Sequence, residues 1–104
     1  MNRGVRSNVY RVDFGHGPES WVVLSNNSRN RNLDTVLAAR VTTTTMSERR
    51  LPTVVSLTDA DPLDGFVLVD DIVQLYHDEL IESLGSLSLP TMREISAGLR
   101  ISLP

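Results

Sequence analysis

The sequence predicts a small, mainly β domain that ends in a single helix. Two observations carry this prediction. Short alternating or apolar segments separated by turn residues fill residues 8–87, and the apolar spacing becomes helical only after residue 88. A chain of 104 residues is too short for two stable cores, so we expect one domain over residues 1–104. Many short strands in so short a chain favour a small barrel, which covers its own edges.

The first half of the chain predicts three strands. Residues Asn8–Phe14 alternate between apolar and polar side chains, as a half-buried strand does. A glycine-rich turn, Gly15–Pro18, follows, and Trp21–Leu24 is a continuous apolar run typical of a strand covered on both faces. The fully polar segment Asn26–Asn32 is expected to be an exposed connection. A third strand, rich in β-branched residues, is predicted from Asp34 to about Thr43.

The second half of the chain continues the sheet. Residues 44–52 predict a loop, and Thr53–Leu57 predicts another strand. The acidic segment Asp59–Gly65 is expected to be a solvated turn. Phe66–Val69 predicts a buried strand, and Ile72–Leu75 continues it beyond a kink at the two aspartates between them.

The end of the chain changes its hydrophobic period. Leu84–Leu87 predicts a short last strand. Ser88 is a suitable N-cap for a following helix, and Pro90 is tolerated in the first helical turn. The apolar stripe expected to face the core consists of Leu89, Met92, Ile95, Leu99 and Leu103.

The composition limits the classes of function. No apolar run approaches the roughly 20 residues of a membrane helix, the N-terminus lacks a secretory pattern, and we expect a cytoplasmic protein. The absence of cysteine excludes disulfides and thiol chemistry. A net charge of −3 argues against bulk attraction to nucleic acid, but permits a nuclease with its cations in one groove. No metal-ligand spacing is present, so no cofactor is expected, and His77, beside Asp78 and Glu79, is expected at the surface.

Several stretches of the chain resemble, in order and spacing, the MazF/PemK toxins of type II toxin–antitoxin systems. They are Val9–Phe14, Val22–Asn27, Val36–Thr42, Leu51–Val54, Asp64–Ile72, Leu84–Ser88 and Thr91–Met92. The resemblance covers almost the whole chain. It implies an SH3-like barrel, a homodimer and a cognate antitoxin that wraps the active groove. It also implies metal-independent cleavage of single-stranded RNA at short sequence motifs, leaving 2′,3′-cyclic phosphate and 5′-hydroxyl ends.

The resemblance also assigns catalytic positions. Attack of the ribose 2′-hydroxyl on phosphorus requires proton removal, stabilisation of negative charge and protonation of the leaving 5′-oxygen. The family uses an arginine at the start of the second strand and a threonine late in the third. The threonine is matched by Thr42, with Thr43 as the alternate, unless these residues simply end a strand. Glu19 and Ser20, however, stand where Arg-Pro is common.

Arg40 is the predicted replacement for the missing arginine. It precedes Thr42 by two residues, so both side chains are expected on one strand face, where they can grip one phosphate. The alternative is that Arg40 pairs with a carboxylate such as Asp13 on a neighbouring strand. His16, in the glycine-flanked turn, is a candidate general acid or base because imidazole titrates near neutral pH, unless it is only a solvated loop residue.

The arginines among the predicted contacts to RNA lie in two loops. Each arginine among them has the alternative role of a solubilising charge. The substrate-binding candidates are Arg29, Arg31, Arg49, Arg50, Thr43 and Asn27. The aromatic residues that often stack on RNA bases are expected in the core instead, namely Tyr10, Phe14, Trp21 and Phe66.

Two other functions compete with the endoribonuclease. Glu19 at the usual arginine position would suit a nuclease-impaired relative that acts only as an antitoxin-binding module. A gyrase inhibitor of the CcdB type would share the barrel. Those toxins end in Trp-Gly-Ile, whereas this chain ends in Ile-Ser-Leu-Pro. The gyrase hypothesis is therefore the weakest of the three.

Overall fold

A computed structural model of the chain describes residues 4–43 and 53–102. Its strands are β1 (Asn8–Asp13), β2 (Pro18–Val23), β3 (Thr35–Thr42), β4 (Val54–Ser56), β5 (Phe66–Tyr76) and β6 (Glu82–Ser86). Its helices are α1 (Asn27–Asn32), the single 3-10 turn His77–Glu79 and α2 (Leu89–Ser102). None of the helices in these two ranges is long and apolar enough to cross a bilayer. The predicted loop 44–52 with Arg49 and Arg50, and Leu103 of the apolar stripe, lie outside the described residues.

The six strands form one antiparallel sheet in the order β4-β5-β3-β2-β1-β6. This confirms the predicted class, mainly β with a C-terminal helix. Both faces of the sheet are covered. Val9, Val22 and Val41 face α2 and β4, while Tyr10 and Trp21 belong to a second buried cluster on the opposite face. A buried cluster on each face of the sheet is consistent with the predicted small barrel.

Strand β5 is one continuous element where two pieces were predicted. Arg40 of β3 pairs with Leu68, but the preceding Ala39 pairs with Ile72, so Val69, Asp70 and Asp71 have no partner residues on β3. Such a bulge bends a strand and redirects its side chains. The kink predicted at the two aspartates is therefore confirmed, although strand pairing resumes beyond it as far as Tyr76.

The segment predicted as an exposed connection is instead the short helix α1. The side chain of Asn26 accepts a hydrogen bond from the backbone N–H of Arg29 at 2.9 Å and caps the helix. Asn30 is buried, and its side-chain amide donates to the carbonyl of Ser25 at 2.9 Å. Polar side chains rather than an apolar stripe therefore hold this helix, so hydrophobic periodicity did not reveal it.

His77 is buried, which corrects the prediction that it lies at the surface. Its Nδ1 accepts a hydrogen bond from the backbone N–H of Gly4 at 2.9 Å. The opposite ring nitrogen, Nε2, is 2.9 Å from the carbonyl of Leu33 and donates to it. One imidazole thus connects two loops that are distant in sequence, which its acidic neighbours do not indicate.

The predicted helix α2 is confirmed, and an acidic residue expected to be solvated anchors its start. Ser88 caps the helix, because its hydroxyl accepts from the backbone N–H of Thr91 at 3.4 Å. Asp61 accepts from the backbone N–H of Ser88 and from the hydroxyl of Thr91, each at 2.7 Å, and from the N–H of Thr58 at 2.8 Å. Burial alone would raise the pKa of Asp61, but hydrogen bonds from Ser88, Thr58 and Thr91 outweigh it and lower this pKa to about 2.

Candidate active site

Arg40 lies at the centre of a charged cluster on the sheet. Its guanidinium Nη2 is 3.1 Å from the carboxylate of Glu19, and its Nη1 is 3.9 Å from that of Asp71. Arg40 therefore does pair with carboxylates, but not with Asp13, whose carboxylate accepts from the N–H of Gly15 at 2.7 Å. All three side chains of the cluster remain partly exposed, at 40% for Arg40, 30% for Glu19 and 44% for Asp71, so a ligand can reach them.

Three strands bring this cluster together. Ser20 pairs with Val41 and Trp21 with Arg40, so continuing the register by one residue places Glu19 opposite Thr42. Residues two apart on a strand share a face, and cross-strand neighbours on one face interact. Arg40, Thr42 and Glu19 therefore share one face, as predicted for Arg40 and Thr42. The bulge in β5 adds Asp71 from the other side.

Thr42 is held by a close backbone contact at the end of β3. It pairs with Phe66, and the residue before that, Gly65, has a φ of +131°. A Cβ at Gly65 would lie 2.3 Å from the carbonyl oxygen of Thr42. Only glycine fits such an approach and such a φ. Thr43, the alternate to Thr42, follows the strand and is exposed.

His16 lies in the turn that joins β1 to β2. The turn depends on Gly15 and Gly17, each with a φ of +99°, and is closed by the pairing of Asp13 with Pro18. The imidazole is exposed. Glu19 is the residue after this pairing, so the turn adjoins the charged cluster at the same end of the hairpin.

Sequence reasoning missed an aromatic residue beside the cluster. Phe14 was expected in the core, but it lies just beyond β1 and its side chain is 41% exposed. Its ring and that of Trp21 form a T-shaped pair, with a centroid distance of 5.9 Å and an interplanar angle of 87°. Because Trp21 pairs with Arg40, Phe14 lies near the cluster, where a nucleic-acid base can stack on it. Tyr10 and Trp21 are buried as predicted, while Phe66 is half-buried.

The other predicted substrate contacts do not converge on Arg40. The guanidinium of Arg29 donates to the carbonyl of Thr35 at 2.7 Å and to its hydroxyl at 3.3 Å, which joins α1 to β3. Arg31 is exposed on α1. Asn27 accepts from the backbone N–H of Arg6 at 2.8 Å, and both residues line a different groove.

That groove, of about 610 Å³, lies between α2 and the N-terminal segment. Arg6, Arg93 and Arg100 line it together with Asn27 and Leu89, and Leu89 is 64% exposed instead of facing the core as predicted. The groove has the charge and apolar surface to hold an anionic ligand. None of the described residues that line this groove has a carboxylate or an imidazole for proton transfer.

Comparison with known proteins agrees with this architecture. Residues 6–103 match the family described as PemK-like, MazF-like toxin of type II toxin–antitoxin system. Endoribonuclease MazF1 of Mycobacterium bovis and endoribonuclease MazF4 of Mycobacterium tuberculosis are each 43% identical to the chain over 103 residues. The match covers 99% of this chain and 95% of each relative.

Solved structures show the same likeness. An endoribonuclease in complex with its cognate antitoxin, from a mycobacterial species, superimposes with a TM-score of 0.89 at 42% identity, over 96% of both chains. A MazE–MazF complex from Deinococcus radiodurans gives a TM-score of 0.84 at 21% identity, over 99% of this chain and 97% of that one. At 21% identity, this second likeness supports the fold alone.

Proposed function

The chain belongs to the PemK-like, MazF-like toxins of type II toxin–antitoxin systems, and from that premise we propose that it is an endoribonuclease neutralised by a cognate antitoxin. The full-length identity to two MazF endoribonucleases disfavours the binding-module and gyrase alternatives. The proposal for the site rests on one observation. Arg40 and Thr42 share a strand face beside Glu19, so this chain keeps a cation where the family arginine is replaced.

The chemistry follows from these positions. The Arg40 guanidinium and the Thr42 hydroxyl hold the non-bridging oxygens of one phosphate, and they stabilise the negative charge that grows there during attack. The ribose 2′-oxygen forms a bond to phosphorus while the bond from phosphorus to the 5′-oxygen breaks. His16, in the exposed turn beside the cluster, supplies the proton to the leaving oxygen. No step requires a metal, and the products are a 2′,3′-cyclic phosphate and a 5′-hydroxyl.

The missing family arginine does not abolish this mechanism, because the charge comes from the adjacent strand. Position 19 lies opposite Thr42, and Arg40 reaches across to position 19 within 3.1 Å. A guanidinium from β3 therefore lies beside the end of the side chain that β2 places at position 19. This argues against the nuclease-impaired alternative.

Binding of single-stranded RNA uses residues around the cluster. Phe14 offers a ring for base stacking, and Thr43 is exposed next to Thr42 to contact the RNA backbone. Arg31, exposed on α1 away from the cluster, remains a proposed contact to a more distant part of the RNA. Arg49 and Arg50 remain proposed contacts from the segment after β3. We further propose that the protein acts as a homodimer in the cytoplasm, where RNA is available and where the antitoxin covers the active groove.

The test is cleavage of a long single-stranded RNA by antitoxin-free protein in EDTA, with fragment ends read by mass spectrometry. We expect cyclic-phosphate ends from the wild type. Thr42→Val and Arg40→Gln should each lower the rate by roughly 10²–10³-fold, as loss of one stabilising donor does. Arg11→Gln is the control, because Arg11 forms a separate ion pair with Glu82 at 2.8 Å. Intact RNA from folded wild-type protein would contradict the proposed function.

A further inference from the structure

We propose that Glu19 is the general base of the reaction and takes the proton from the attacking ribose 2′-hydroxyl. The inference rests on the proposed endoribonuclease function and adds a residue to it. Glutamate at this position at first suggests a lost catalytic group. Its placement beside Arg40 instead suggests that two side chains share the chemistry, with Arg40 stabilising the charge and Glu19 removing the proton.

The geometry places Glu19 beside the reacting atoms. Its carboxylate is 3.1 Å from Arg40, and its strand position is opposite Thr42. A phosphate held by those two residues therefore lies next to the Glu19 carboxylate. The attacking 2′-hydroxyl must approach that phosphorus to about 3–3.5 Å, which brings its proton within hydrogen-bond reach of the same carboxylate.

Arg40 has room for both a carboxylate and a phosphate. Glu19 contacts Nη2, whereas Asp71 is near Nη1 at the longer distance of 3.9 Å. A guanidinium presents five N–H donors in a fixed plane, so two acceptors can bind it at once. The incoming phosphate displaces the weaker Asp71 contact at Nη1. Glu19 stays on Nη2, oriented toward the substrate.

The proton transfers balance without a further reactant. The hydrogen of the 2′-hydroxyl passes to a Glu19 carboxylate oxygen as the 2′-oxygen bonds to phosphorus. The bond from phosphorus to the 5′-oxygen breaks, and the 5′-oxygen takes a proton from His16. Both side chains regain their starting protonation by exchange with water after the products leave.

The experiment compares Glu19→Gln and Glu19→Asp with the control Glu82→Gln. Glu82 is likewise an ion-paired, partly exposed glutamate, but its partner is Arg11. Two quantities are measured for each protein: the single-turnover cleavage rate from pH 4 to 9 with saturating RNA, and the Kd for an uncleavable RNA with a 2′-deoxy group at the scissile position.

Glu19→Gln should lower the rate at pH 7 by roughly 10²–10⁴-fold and remove the fall in rate at acidic pH, because the titrating base is gone. The Kd for the uncleavable RNA should stay within about threefold of the wild type or decrease, because a negative charge has been removed. Glu19→Asp should recover part of the rate, and Glu82→Gln should match the wild type.

A Glu19→Gln protein that cleaves at the wild-type rate would overturn the proposal. So would a slower variant that keeps the acidic fall in rate, or one whose loss is matched by weaker binding of the uncleavable RNA. In these cases the wild type still cuts RNA, so the proposed endoribonuclease function is kept and only the role of Glu19 as general base is rejected. Wild-type protein that leaves RNA intact would overturn both.

Discussion

Gly65 controls the position of Thr42, and its replacement tests whether that position matters. Gly65→Ala places a Cβ 2.3 Å from the Thr42 carbonyl and also strains a φ of +131°. We expect a loss of about 3 kcal/mol in the free energy of unfolding, from overpacking and backbone strain together. RNA cleavage should fall in the protein that remains folded, because Thr42 moves. Urea unfolding and single-turnover cleavage measure the two effects.

Gly15→Ala is the matched control for that substitution. Gly15 also has a positive φ, of +99°, but a Cβ there meets no atom within 4 Å. Gly15→Ala should therefore lower the free energy of unfolding through backbone strain alone, by about 1 kcal/mol. Equal losses in the two variants would show that contact with Thr42 contributes nothing.

The residues of the charged cluster were only partly predictable. That Arg40 and Thr42 share a face could be predicted from the sequence, because side chains two residues apart on a strand point to the same side. The pairing of Arg40 with Glu19 instead of Asp13 depends on which strands are neighbours and in what register. Those contacts are set by tertiary packing. His77 was misplaced for a similar reason, since its partners Gly4 and Leu33 are far away in sequence.

At the level of elements, the start of α2 depends on Asp61, which makes helix stability sensitive to acid. The pKa of Asp61 is lowered to about 2 from an ordinary 3.8, so its ionised form is stabilised by folding. That contribution is fully present above about pH 4 and is lost as the pH falls through 2. Allowing for solvent screening of a partly exposed group, we expect it to be worth about 1 kcal/mol.

Urea unfolding between pH 7 and pH 2 measures this effect. Asp61→Asn should be less stable than the wild type at pH 7, and the difference should shrink toward pH 2. Asp59→Asn, a change at an exposed residue of the same turn, is the control and should track the wild type throughout. A constant difference between Asp61→Asn and the wild type would rule out the carboxylate charge as its source.

The elements that the sequence predicts well are those with a clear hydrophobic period. The strands and α2 have such a period, and their positions were predicted to within a few residues. Helix α1 was missed because six polar residues carry no apolar stripe, and its stability comes from Asn26, Asn30 and Arg29. The β5 bulge appeared in the sequence only as a kink, because its effect on Asp71 depends on pairing with β3.

At the level of the whole molecule, a net charge of −3 must be reconciled with a polyanionic substrate. We propose that RNA binds through a few local contacts instead of a broad basic surface. If about two phosphates are contacted, the logarithm of the association constant should fall with the logarithm of salt concentration with a slope near −1.4. This slope is obtained by measuring the Kd for the uncleavable RNA from roughly 50 to 200 mM salt.

Two arginine variants localise those contacts. Arg40→Gln should make the slope shallower by about 0.7, the value of one phosphate contact on a single strand. Arg93→Gln, in the groove beside α2, should leave it unchanged. The opposite pattern would place the RNA in that groove and away from the sheet.

The ion pair between Glu19 and Arg40 also bears on how relatives of this protein are classified. Under the proposed mechanism, a single alignment column at the start of β2 would score this chain as inactive, because the proposed catalytic cation stands on the facing strand. The two positions are therefore better considered together. Relatives that carry glutamate at the position of Glu19 should be classified by the residue at the position of Arg40. This separates relatives expected to be active from those that lack the cation at both positions.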